Sequence, residues 1–331
     1  MKSPTVFTTA LATALLAQGV SSINLIDTHV HNADLALFGN DFYTFQASFP
    51  DLNKTWTMAD FADATSSLPY DGGEAVVGGV ILMELEKQNN DYESGLAEAA
   101  FYQSVANRCN ADPSTCGGSK VVGLVASAPL EMGHDATIEY LTTLQAAAPN
   151  LVGIRQGLWV KDASFFYDEG FRGGLSALPA FNLPFDILVE HDQLSYTIDL
   201  ATALPTVMFN LNHLGYPTIT NATNWASWLD GINKLAALPN VYIKLSGLPQ
   251  TYDAPGWTAD DFTPYVKAAL DAFGAQRMNY AGNWFVLMDE EWEGNYPDMV
   301  NAVMTVMNNL EVTDADREWI FAKCATELYH L

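Results

Sequence analysis

Basic side chains are scarce in this chain. Its 331 residues hold 14 Lys and Arg against 39 Asp and Glu, for a formal net charge of -25. A field of that sign repels polyanions over most of the surface, which argues against nucleic acid and anionic membranes as partners. It favours a neutral or weakly charged small-molecule substrate, although a local cluster of His, Arg and Lys can still make one cleft electropositive. Long hydrophobic runs are also missing. The apolar stretch from Val6 to Ala17 falls short of the roughly 20 residues that a membrane span requires. Cysteine is rare, at 3 residues, and none of its spacings suits a metal-binding cysteine set. No linker, charge run, tandem repeat or low-complexity stretch divides the chain, so one domain is expected.

The N-terminus reads Met-Lys-Ser-Pro, then the short apolar run, then Gly19, Val20, Ser21 and Ser22. This charged, apolar and small-residue order is that of a secretory signal peptide, and it predicts a leader over residues 1–22 and a mature domain over residues 23–331. The sequons at Asn53 and Asn221 fit a secreted glycoprotein. Cys109 and Cys116 bracket a polar loop and can close a small disulfide in an oxidising compartment. Cys324 lies in a helix-like stretch, where a buried free thiol is expected.

Short apolar runs bounded by turn residues recur eight times, over residues 23–27, 75–83, 120–126, 151–155, 185–189, 206–211, 241–245 and 278–286. Segments with helical spacing follow, at 92–107, 136–148, 224–237, 264–272 and 298–310. Near-continuous apolar strands alternating with helices predict a parallel sheet buried on both faces, hence an α/β fold of the (β/α)8 TIM-barrel type. In that fold the chemistry sits where strands end and loops begin. Of the 6 histidines, His29, His31, His191 and His213 fall at such ends, and His134 and His330 do not. His29 and His31 are two apart in an extended run, so both imidazoles point to one face and can meet one ion.

The stretch Ile26-Asp27-Thr28-His29-Val30-His31 is followed in order by Gly153-Ile154-Arg155, Phe185 to Val189, Asn212 to Pro217, Lys244 to Leu248 and Asn283-Trp284. Together these segments resemble the amidohydrolase-related family, in particular its sugar-lactone and pyrone-dicarboxylate lactone hydrolases. The resemblance implies a barrel, hydrolytic or occasionally decarboxylating chemistry, and in many members one divalent metal, often zinc, while some relatives hydrolyse lactones without a metal. By position, His29 and His31 match the first-strand metal ligands. His213 matches the sixth-strand histidine that binds metal or polarises substrate, and His191 is a further candidate ligand. Arg155 and Lys244 match basic positions near the barrel mouth, expected to hold a substrate carboxylate or carbonyl oxygen. A salt bridge between barrel layers is the alternative for Lys244.

Asn283 stands where the family usually has an aspartate that contacts the metal and takes a proton from water, and Asn212 stands where an aspartate usually precedes the sixth-strand histidine. An asparagine can offer its carbonyl oxygen but cannot take a proton. Losing a general base costs about 10² to 10⁴ in rate, whereas a metal lowers the pKa of bound water to about 7, so a hydrolase remains the expected activity. Glu190, Asp289, Glu290 and Glu291 are nearby carboxylates, the last three expected in a solvated loop. Trp159, Trp284 and Trp292 lie near strand ends, either as an apolar wall against substrate or as rim packing. The leading expectation is a lactone or related ester hydrolase, with Arg155 orienting substrate and Asn283 positioning water. A non-oxidative decarboxylase and a non-catalytic binding protein are the alternatives.

Overall fold

The computed structural model describes residues 21–39, 49–85, 91–220, 222–252 and 254–331. The expected leader up to residue 20 and the Asn221 sequon lie outside them. The barrel begins with β1 (Ser21–Val30), so the expected cleavage point after Ser22 falls inside a strand. A short β2 (Leu68–Tyr70) pairs antiparallel with β3 (Gly73–Met83). The rest of the sheet is β4 (Lys120–Ser127), β5 (Leu151–Gly157), β6 (Phe185–Leu188), β7 (Phe209–Leu211), β8 (Val241–Leu245) and β9 (Met278–Tyr280).

Among the described residues the parallel strands run in the order β1-β3-β4-β5-β6-β7-β8-β9. The ends of that path meet. Thr28 Oγ1 donates to the Tyr280 carbonyl at 2.9 Å, and the His31 N–H donates to the Trp284 carbonyl at 2.7 Å. This closes the sheet into the expected eight-stranded barrel. Val80, Ile81, Leu82 and Met83 are all fully buried, because alternate side chains face the barrel interior and the helical layer.

Helices follow the strands: α1 (Met58–Ala64), α2 (Tyr92–Ala111), α3 (His134–Ala147), α4 (Glu169–Leu175), α5 (Leu194–Ala203), α6 (Trp225–Ala236), α7 (Ala259–Phe273) and α8 (Tyr296–Asn309). Their starts follow local chemistry. Thr57 and Asp60 form a capping box at α1, Thr258 and Asp261 another at α7, and the Asn295 side chain accepts from the Asp298 N–H at α8. α6 buries Trp228, Gly231, Ile232 and Leu235, the i, i+3, i+4, i+7 stripe of a helix packed on a sheet. At the N-terminal end of the barrel the C-terminal segment lays Leu328 and Tyr329 against Ile81, Met83 and Val125. The opposite end is left for the loops.

The eighth barrel strand is shorter than expected, stopping at Tyr280 rather than Val286. Asn283 has φ 55, which ends an extended run. Gly282 is required beside it, since a Cβ there would lie 2.5 Å from Asp27 Oδ2 and 2.4 Å from the Tyr296 ring. Cys109 and Cys116 are joined in a disulfide, and Cys324 is a buried free thiol.

Candidate active site

A cavity of about 160 Å³ opens where the C-terminal ends of the strands meet their loops, and its wall includes His31, Arg155, Glu190, His213 and Asn283. Each polar group is held from below. Arg155, on β5, ion-pairs with Glu84 just beyond β3. Its Nε donates to Glu84 Oε1 at 2.6 Å, Nη2 to the Glu84 carbonyl at 2.8 Å, and Nη1 faces His29 Nε2 at 3.1 Å. His213 sits in a left-handed turn after β7, at φ 53, with Nδ1 2.8 Å from Ser246 Oγ. Gly247 makes room for that ring, because a Cβ there would fall 2.7 Å from His213 Cγ. The His29 and His213 ring centroids are 4.9 Å apart.

A buried polar layer lies beneath. Lys244 Nζ is 2.6 Å from Asp186 Oδ1 and donates to the Thr28 carbonyl at 3.0 Å. Asp186 also accepts from Asn212 Nδ2 at 2.9 Å and from the Tyr329 hydroxyl at 2.6 Å. Asp27 accepts from the His29 and Gly282 N–H groups and the Tyr296 hydroxyl. Burial nonetheless raises its carboxyl to about 6. Burial also lowers Lys244, against the pull of Asp186.

His29, His31 and His213 are all held well below the usual 6.5. Burial is the largest cause in each, and the charges of Arg155 and Lys244 add to it. All three are therefore neutral imidazoles at neutral pH. Their tautomers follow from their partners. His31 Nδ1 faces the Met83 carbonyl at 3.0 Å, and a carbonyl only accepts, so the proton is on Nδ1 and Nε2 keeps its lone pair. His29 Nε2 faces a guanidinium nitrogen, which only donates, so it too presents a lone pair. These two Nε2 atoms are 3.0 Å apart. Two acceptor nitrogens this close form a donor set suited to a cation, with Arg155 Nη1 then giving up its bond to His29. Among the described residues no group of three or more His, Cys, Asp or Glu is arranged as a metal cage.

Of the residues singled out in the sequence, His31, Arg155, Trp159, His213, Asn283 and Trp292 line the cavity. His29 joins them through its contacts with His31 and Arg155. His191 begins the turn after β6 and is not on the cavity wall. Lys244 is fully buried on Asp186, and Trp284 is fully buried in the core. Glu84, Asp186 and Ser246 carry the support. Glu84 and Asp186 are recognisable in the sequence only as lone acids in or beside apolar strands.

The family model described as amidohydrolase matches residues 26–331. The chain belongs to the amidohydrolase family. It is a hydrolytic enzyme of that kind, built on a single barrel. An L-fucono-1,5-lactonase of Burkholderia ambifaria is 33% identical over 140 residues, 42% of this chain and 48% of that protein. A protein of Sinorhizobium fredii is 24% identical over 94% of this chain and 100% of its own. An amidohydrolase from Burkholderia multivorans, solved with zinc bound, superposes with a TM-score of 0.72 at 22% identity, covering 93% of this chain and 100% of that one.

Proposed function

We propose that the enzyme opens a lactone by adding water to its ring carbonyl. The supporting observation is the cavity wall itself, where the neutral imidazole of His213 stands alongside Arg155 and Asn283. Ser246 orients the ring through Nδ1, leaving Nε2 to take a proton from water as its oxygen bonds to the carbonyl carbon. The ring C–O bond then breaks, and the same proton goes to the departing alkoxide, so a hydroxy acid is the product. Arg155, fixed by Glu84, places positive charge at the carbonyl oxygen where negative charge develops. Asn283 cannot take a proton, but its amide can hold water or oxyanion. The similarity to a named lactonase supports this choice of substrate class.

The converging Nε2 lone pairs of His29 and His31 fit a divalent cation such as zinc, with His213 and the Asn283 amide oxygen nearby. When bound, such an ion supplies carbonyl polarisation and a more acidic water. His191 has no part in that set. Elemental analysis of protein purified without chelator is expected to show about one equivalent of metal, absent from the His29→Ala, His31→Ala variant. A metal-replete sample that hydrolyses no lactone would overturn the reading. If a lactone is hydrolysed, His213→Ala should lower kcat by about 10²- to 10⁴-fold.

We also infer an oxidising, extracellular site of action. The Cys109–Cys116 disulfide and the leader-like order of residues 1–22 support it. Mass determination of the protein from culture medium tests it, a start near Ile23 being expected.

A further inference from the structure

The cavity wall is chemically lopsided. Besides the reacting groups and Glu190, its described wall consists of Phe49, Leu85, Leu188, Val286 and Trp292, with Trp159 at its edge and Tyr216 as the one further side chain bearing a hydroxyl. Phe49 and Trp292 pack ring against ring at 5.4 Å, making a continuous apolar side. A polyhydroxylated sugar lactone placed there would lose hydration with few matching partners among the described residues, the Tyr216 hydroxyl being one, since buried hydroxyls need hydrogen bonds. A dicarboxylated pyrone fares no better. Among the described residues of the wall the cationic group is Arg155, already paired with Glu84, and the remaining charge is the carboxylate of Glu190.

The volume adds a second constraint. About 160 Å³ is below the roughly 300–1,000 Å³ of sites that enclose a drug-sized ligand, so a ring fills it and any substituent extends outward. Beside the exposed Glu190, the lining carries Trp159, 42% exposed, followed in the chain by Val160, 64% exposed. Exposed large apolar side chains at the lip of an apolar cavity mark a ligand path. One residue fixes that rim. Gln193 Nε2 donates to the carbonyls of Leu158 and Lys161, each at 3.0 Å, and its Oε1 accepts from the Glu190 N–H at 3.1 Å. The Trp159 loop and Glu190 are thus held in one frame.

From this geometry we infer that the substrate is an uncharged lactone carrying an alkyl or aryl substituent, with Trp159 receiving the substituent and Glu190 excluding carboxylated rings. The inference rests on the lactone reading but is tested apart from it. Three unreactive lactams of one ring size, 6-alkyl, polyhydroxylated and 6-carboxylated, are titrated against the full protein by tryptophan fluorescence. The alkyl lactam should bind at least about tenfold tighter than either of the others. Glu190→Gln should shrink its advantage over the carboxylated lactam by about tenfold, through lost repulsion. Trp159→Ala should raise the Kd of the alkyl lactam several-fold. Tightest binding of the polyhydroxylated or carboxylated lactam overturns the inference, as does no binding of any, or an unmoved ratio in Glu190→Gln. The three corresponding lactones are assayed in parallel. Alkyl preference in binding without turnover of any lactone would overturn the hydrolase reading and leave only the cavity's ligand preference standing.

Discussion

Trp284 and Trp159 both lie near strand ends, but the packing around them assigns different work. Trp284 is fully buried, edge-on to Trp56 at 5.5 Å and to Phe61 at 5.3 Å. Its place is in the core, so Trp284→Ala is expected to cost about 3–5 kcal/mol of stability, seen as a lowered denaturation midpoint. A variant of undiminished stability with a raised KM would put Trp284 in the binding site instead. His213 yields a prediction of a different kind. Because burial holds it well below 6.5, its basic form persists into mild acid. The activity profile should therefore stay level from about pH 8 to about pH 6, and a fall centred near 6.5 would show an ordinarily titrating imidazole.

At the scale of the element, the disulfide offers a clean test. Cys109 ends the buried face of α2 and Cys116 closes the following turn, a separation of 7 residues. In the chain-entropy account a loop this short is worth about 2 kcal/mol, so Cys109→Ser, Cys116→Ser should lower stability by roughly that amount, with activity retained at low temperature. Equal unfolding midpoints with and without reductant would contradict it. Elements were also what the sequence displayed best. The barrel strands were legible because strands buried on both faces are apolar throughout, and the helices because each buries one stripe. The end of β9 was not, since hydrophobicity carries no sign of the left-handed backbone at Asn283. The paired histidines were legible from their position at a strand end, and Arg155 through the family resemblance. Glu84 and Asp186 were not, because their partners Arg155 and Lys244 lie on other strands far along the chain. Lys244 was open to two readings, a substrate contact or a salt bridge between barrel layers, and its buried pair with Asp186 is the second.

The whole molecule feels these buried groups through pH, and the three histidines pull against Asp27. The folded values of His29, His31 and His213 are lowered, so unfolding releases imidazoles that bind protons below 6.5. Stability is unaffected above that pH and is lost as pH falls from 6.5 towards the lowered folded values. Asp27 is raised from 3.8 to about 6, so its contribution is fully present below 3.8 and lost as pH rises through about 6. Three lowered imidazoles oppose one raised carboxyl, so the net change between pH 7 and pH 5 follows the histidines. The metal-stripped enzyme should therefore be less stable at pH 5 than at pH 7 in urea titrations. His29→Gln should reduce that difference, having one fewer proton to take up. Stability that holds level or rises towards pH 5 would mean that the three imidazoles are not kept neutral by the fold, and that the lone pairs facing each other at the barrel mouth are already protonated.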